Sequence, residues 1–225
     1  MTTAKNGISA ATLSNVLPLG SYQTAWTMLA KYRATMSTAE KSPLSGTVEV
    51  DEWVQGGRQT REEARRQGSN KNLVAGAVEH SAKGYGRIRL RIIEDSKAPS
   101  LRDFITGNVE LGSHIITDGW RPYTQATAGF LHEPRNESGA DAEPGHTLLP
   151  GVHRVFSLAE RWLLGTHQGG VHPTHLQEYL DEFTFRWNRR NASHRGLLFF
   201  RLLEHAVTAE PVCIPIWLEL GPRNP

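Results

Sequence analysis

Two short apolar runs of this sequence each end in an aspartate, at Asp51 and at Asp118. The runs begin at Thr47 and His114, and the segments 47–53 and 114–120 around them contain the β-branched residues that favour strands. A strand that ends in a carboxylate can hold a divalent cation, because Mg²⁺ prefers oxygen ligands. Each aspartate taken alone is equally compatible with a turn residue or a helix cap. The runs therefore predict a sheet with two carboxylates at its edge, whose role depends on their surroundings.

The composition limits the kinds of protein that this chain can be. Its 225 residues provide one substantial domain with a small addition. The single cysteine, Cys213, excludes an internal disulfide and a cysteine-based zinc site within the chain. No apolar run reaches the roughly 20 residues of a membrane helix, and no signal-peptide core follows the first residues. We therefore expect a cytoplasmic globular protein with no membrane partner.

Basic residues are clustered in two places, although 25 basic and 23 acidic residues leave a net charge of only +2. Such clusters can follow a chain of phosphates. The first is equally compatible with a solvated helix face that Glu62 and Glu63 balance. The first cluster follows Asp51 and the second lies near the C-terminal end; their members are Arg58, Arg61, Arg65, Arg66 and Lys71, then Arg186, Arg189, Arg190 and Arg195.

The first forty residues predict two helices around a tight turn. Ser9 and Ser21 stand where N-cap residues stand, and Gly20 lies in the turn between the helices. This pattern is typical of a helix-turn-helix, and also of a purely structural helical hairpin. Both interpretations stay open from the pattern alone.

Further along the chain, the spacing of apolar residues changes from a strand period to a helix period. Strands followed by helices predict an α/β fold with a mixed central sheet flanked by helices, preceded by the small helix-turn-helix-like segment. Strand alternation places Glu52 on the face opposite Asp51, and Trp120 is expected in the core. The predicted strands cover residues 47–53, 73–79, 87–92 and 115–116; the predicted helices cover 100–105 with Ser100 as cap, 120–127, 155–165, 173–187 and 197–207; residues 132–147 are predicted to form a loop.

Three stretches of the sequence carry a resemblance to a known family. Residues 48–57, 117–123 and 163–190 resemble bacterial insertion-sequence transposases of the RNase H-like DDE superfamily. Within that superfamily they look like the ISXO-like branch, whose members carry a zinc ribbon and a helix-turn-helix before the catalytic domain. The resemblance implies an RNase H-like fold and metal-dependent cleavage and strand transfer of DNA. The corresponding domains are a helix-turn-helix-like remnant at 1–40, a catalytic domain at 41–210 and a tail at 211–225.

The resemblance also implies a site. Asp51 and Asp118 would bind two Mg²⁺ or Mn²⁺ ions, and the third ligand position falls on His153. The position seven residues later, where the family expects a basic residue, holds Glu160. Three interpretations stay open: His153 is the third ligand, Glu160 takes that role from further along the helix, or the site has decayed. The residues expected to contact DNA are Arg121, Arg186, Arg189 and Arg190.

The expected partners are the DNA of the element ends and of the target, together with further copies of the chain in the active complex. No zinc ribbon precedes the helix-turn-helix-like segment, which predicts a truncated gene or a shortened chain. Recognition of the element ends would then be weak or supplied by a partner. Two other functions compete with an active transposase. One is a catalytically inactive, transposase-derived DNA-binding protein, and the other is an unrelated hydrolase that uses Asp51 and Asp118 as an acid–base pair.

Overall fold

The computed structural model describes residues 6–38, 42–55, 72–135, 145–167, 171 and 173–208. The chain divides into two compact units, one formed by Met1–Glu40 with Asn191–Pro225 and the other by Lys41–Arg190. The first basic cluster, Gly56-Gly57 and the tail at 211–225 lie outside the described residues.

The first unit is helical and begins as the sequence predicts. Helix α1 spans Ala10–Val16 and helix α2 spans Tyr22–Thr38. The hydroxyl oxygen of Ser9 accepts from the Thr12 backbone N–H at 3.1 Å, and Ser21 does the same for Thr24 at 3.2 Å. These bonds satisfy N–H groups that a helix start leaves without an intrahelical acceptor. The predicted helices and caps are confirmed, whereas a DNA-reading role for this segment stays a prediction.

The second unit is built on a five-stranded sheet in the order β3-β2-β1-β4-β5. Strand β2 is antiparallel to both of its neighbours, while β4 is parallel to β1 and to β5. The predicted α/β class with a mixed central sheet is therefore confirmed. The strands are β1 Thr47–Val54, β2 Leu73–Ser81, β3 Gly84–Ile93, β4 His114–Thr117 and β5 Leu131–Pro134.

Helices cover both faces of this sheet, because side chains along β1 alternate between two cores. Val48 and Val50 point to one core, and Trp53 points to the other, where it stacks on Phe156 with ring centroids 5.7 Å apart. The helices of this unit, numbered on from α2, are α3 Ala98–Asn108, α4 Pro122–Ala126, α5 Gly145–Leu148, α6 Pro150–His167 and α7 Leu176–Asn188. In the first unit, α8 spans Arg195–Thr208.

Helix α7 closes the free edge of β3 with side-chain amides. Asn188 accepts from the Ile88 N–H at 2.8 Å and donates to the Ile88 carbonyl at 3.2 Å. Gln177 accepts from the Ile92 N–H at 2.9 Å and donates to the Leu90 carbonyl at 3.2 Å. An edge strand otherwise presents unpaired backbone groups, so these two amides stand in for a further strand.

The structure corrects three local predictions. Residues 132–134 belong to strand β5, and residues 145–147 belong to helix α5, rather than to a loop. Strand β5 escapes a pattern search because it is a short edge strand that ends in Pro134, a residue that an edge tolerates. Ser100 does not cap α3: the cap residue is Lys97, and the Ser100 hydroxyl donates to Asp95 at 2.8 Å.

Candidate active site

The first aspartate lies on the central strand, on the face that α6 covers. Glu49 and Asp51 alternate with Val48 and Val50, so both carboxylates point away from the core beneath α3 and α4. Asp51 is 7% exposed, and its Oδ1 accepts from the Glu52 backbone N–H at 2.8 Å. The hydrogen bond from the Glu52 N–H thus orients this nearly buried carboxylate.

The second aspartate follows the neighbouring parallel strand. The β1–β4 register pairs Val48 with Ile115 and Glu49 with Ile116, and Asp118 directly follows the end of β4 at Thr117. Asp118 therefore lies at the C-terminal end of the strand beside the one that carries Asp51.

Asp118 also organises the turn in which it stands. Its Oδ1 accepts from the Trp120 N–H at 2.9 Å, and the intervening Gly119 has a φ of 77°, which favours glycine. This is the Asx-type turn that an aspartate commonly makes. Asp118 thus both follows the end of β4 and organises the turn after it. Its Oδ1 takes part in this bond and its Oδ2 does not.

Helix α6 brings His153 to the first aspartate. The Nε2 atom of His153 lies 3.3 Å from Oδ2 of Asp51. Glu160 lies seven residues further along α6, which is about 10 Å along the helix axis. Of the two residues predicted to supply the third ligand, His153 is therefore the one in contact with Asp51.

A second carboxylate on β1 faces the opposite side of the sheet, as strand alternation predicts. Glu52 accepts from the hydroxyl of the fully buried Tyr123 at 2.5 Å. Burial raises the pKa of Glu52, the Tyr123 hydrogen bond opposes that rise, and the charge of Asp118 adds to it. Burial also raises the pKa of Tyr123 well above its usual range, and the charges of Glu52, Asp51 and Asp118 contribute. The charges of three acidic side chains thus converge on Tyr123.

The carboxylate oxygens of Asp51 and Asp118 are of the kind that suits a hard divalent cation. Mg²⁺ commonly takes one or two carboxylates from a protein and completes its shell with water and substrate phosphate. Within the described residues, no set of three or more His, Cys, Asp or Glu is gathered to hold a metal ion. Asp51, Asp118 and His153 therefore do not form a three-ligand cage within the described residues, and a cation held by the two aspartates would take the rest of its shell from water and phosphate. Their role as ligands stays a prediction, as does that of His153.

The arginines expected to contact DNA lie in different surroundings. Arg121 is exposed beside Asp118. Arg186 lies over the ring of Trp162, and Arg189 lies over Phe185. Arg190 donates to the backbone carbonyls of Tyr85, Gly86 and Trp187. Arg121 thus faces solvent, whereas the hydrogen bonds of Arg190 link the end of α7 to β3. A DNA contact by any of the four arginines stays a prediction.

Sequence reasoning missed two parts of this region and misplaced a third. Trp120 is 54% exposed rather than in the core. Glu49 is fully buried, whereas strand alternation predicts only that it shares a face with Asp51. Tyr123 lies within the motif at 117–123, but its hydrogen bond to Glu52 depends on tertiary packing.

The fold is that of an α/β protein with a mixed sheet, in which Asp51 lies within the central strand and Asp118 follows the parallel strand beside it. The family model of the ISXO2-like transposase domain matches residues 43–188, which is more than half of the chain, and the chain belongs to that family. A comparison with curated proteins finds no match. No helix in the described part of the chain has both the length and the apolar character that crossing a membrane requires.

Proposed function

We propose that this protein is a transposase that cleaves DNA strands and transfers them during movement of an insertion sequence. The proposal rests chiefly on one observation: Asp51 lies on β1, Asp118 directly follows the neighbouring parallel strand β4, and His153 on α6 is in contact with Asp51. Family membership supports the choice of DNA as the substrate. The strand order, with one antiparallel arm and one parallel arm, supports an RNase H-like catalytic domain.

Asp51 and Asp118 would hold the metal ions, and His153 would complete the protein's ligands. Mg²⁺ or Mn²⁺, when bound, would activate the attacking oxygen and stabilise the leaving oxygen of an in-line phosphoryl transfer. The bond from the Glu52 N–H leaves the other oxygen of Asp51 directed toward His153. The Trp120 N–H likewise fixes one oxygen of Asp118 and so orients the carboxylate. The protein thereby supplies fixed oxygens, and positioning of this kind accounts for much of the catalysis in phosphoryl transfer.

DNA would approach from the exposed side of this edge. Arg121 is exposed three residues beyond Asp118, where it would contact a phosphate and offset the acidity of the site. Cutting and joining two element ends would require at least two copies of the chain in the active complex.

Nicking of supercoiled plasmid in the presence of Mn²⁺ tests this function. The proteins to compare are the wild type, Asp118→Asn and Asp103→Asn, with EDTA added in a parallel reaction. Asp103 is an exposed aspartate on α3, so Asp103→Asn makes the same chemical change away from the site. We expect nicking by the wild type and Asp103→Asn, and its loss in Asp118→Asn and in EDTA.

Two results would contradict the proposal in different ways. DNA binding by the wild type without any nicking would favour an inactive, transposase-derived binding protein. Nicking that persists in EDTA would favour a hydrolase in which the two aspartates act as an acid–base pair.

A further inference from the structure

The structure contains a second buried carboxylate on β1, two residues before Asp51. Glu49 is 0% exposed. One of its oxygens lies 2.8 Å from Nε2 of His80 on β2, and the other accepts from the backbone N–H of Val152 on α6 at 2.8 Å. A buried carboxylate is costly unless both oxygens have partners, and here both do.

The bond to Val152 has a particular place in α6. The helix begins at Pro150, so the Val152 N–H is one of the first N–H groups that have no acceptor within the helix. Negative charge is also favourable at this end of a helix. An ordinary cap comes from a residue next to the helix, whereas this acceptor comes from the central strand. The bond therefore fixes where the first turn of α6 lies on the sheet.

A glycine allows this close approach. A Cβ atom at Gly151 would overlap the ring of Tyr85 on β3 and would come within 2.8 Å of Oε2 of Glu49. Any larger residue at 151 must therefore push the first turn of α6 away from the strands or displace both side chains. The opposite end of α6 is different, because a Cβ at Gly165 would meet nothing within 4 Å.

Glu49 and Asp51 thus contact consecutive residues of the same helix. Glu49 binds Val152, and Asp51 lies 3.3 Å from His153. We propose that Glu49, held by His80, is a positioning residue that sets the first turn of α6 on the sheet and so brings His153 to Asp51. Glu49 itself touches neither His153 nor the substrate in this role. Its importance for strand cleavage rests on the proposed function, whereas its effect on the position of His153 does not.

The imidazole ¹⁵N–¹H signals of His153, recorded at one fixed pH, test the proposal without requiring activity. Asp51→Asn provides the reference spectrum for a His153 that has lost its charged neighbour. Gly151→Ala displaces the first turn and leaves every charge in place, and Gly165→Ala is its matched control on the same helix. Glu49→Ala removes the acceptor, and Glu49→Gln keeps an acceptor of the same shape.

We expect the His153 signals of Gly151→Ala and Glu49→Ala to move toward the reference, with Glu49→Gln and Gly165→Ala close to the wild type. In the plasmid assay, the first two variants should lose about 10- to 100-fold in nicking at unchanged DNA affinity, the range found when support for metal-site residues is removed. His153 signals that stay at the wild-type position in a folded Gly151→Ala protein would overturn the proposal. If Glu49→Ala does not fold, the comparison of the two glycine variants decides. Signals that move as expected while the wild type does not cut DNA would instead reject the transposase function alone.

Discussion

Asp181 on α7 provides a quantitative test of the packing between α7 and the sheet. Its pKa is raised from 3.8 to about 6, mainly by burial, against the opposing hydrogen bond from Gln177 and with a contribution from the charge of Glu178. The Gln177 amide donates to Asp181 at 2.9 Å and also donates to Leu90 on β3. Asp181 therefore orients one of the two amides that close the edge of β3, at the cost of a partly desolvated charge.

The magnitude follows from the shift in the pKa. A change from 3.8 to about 6 corresponds to about 3 kcal/mol of unfolding free energy, at about 1.4 kcal/mol per pKa unit. A carboxyl group whose pKa is raised in the folded state stabilises the protein below its unfolded pKa, and this contribution is lost as the pH rises through the folded pKa. Asp181→Asn keeps an acceptor for Gln177 but has no charge. The unfolding free energy of Asp181→Asn should therefore exceed that of the wild type by about 0.5 kcal/mol at pH 4 and by at most about 3 kcal/mol at pH 7.

Urea unfolding of the wild type and Asp181→Asn between pH 4 and pH 8 measures this difference. Asp103→Asn serves as the control, because Asp103 is exposed on α3 and its replacement should not produce the same rise. An advantage of Asp181→Asn that is the same at every pH, or a loss of stability at pH 7, would refute the assignment of the cost to a buried charge.

Two further predictions concern the site itself. Tyr123→Phe should lower the unfolding free energy by about 1.5–3 kcal/mol at pH 7, because Glu52 loses a hydrogen bond to its charged form. The loss should be smaller at an acid pH that protonates Glu52. The control Tyr22→Phe, at an exposed tyrosine, should leave the unfolding free energy unchanged under both conditions. His153→Ala should reduce Mn²⁺-dependent nicking by about 10- to 100-fold, while Glu160→Gln should stay close to the wild type. Equal losses in the two α6 variants would contradict the choice of His153 over Glu160.

Much of the fold was accessible from the sequence because it depends on local patterns. Period-two alternation marks β1 and β3, and the serine caps mark the first two helices. Strand β5 was missed because its four residues pair only at the edge of the sheet and do not alternate between apolar and polar residues. Its existence depends on β4 lying beside it, which is a tertiary property.

The candidate site was likewise predictable from the sequence only in part. Asp51 and Asp118 stand out because each ends an apolar run, but their placement on neighbouring strands depends on the pairing of β1 with β4, which are distant in the chain. The burial of Glu49 was missed because a charged residue on a strand is usually exposed. Only the structure places the start of α6 and His80 on either side of its carboxylate.

Binding of Mn²⁺ to the protein shows whether Asp51 and Asp118 serve one metal site. Electron paramagnetic resonance of free Mn²⁺ measures the affinity of the wild type, Asp51→Asn, Asp118→Asn and Asp103→Asn without DNA. Either site variant should weaken Mn²⁺ binding at least tenfold, and Asp103→Asn should bind Mn²⁺ as the wild type does. Unchanged Mn²⁺ affinity in both site variants would contradict a metal site shared by the two aspartates.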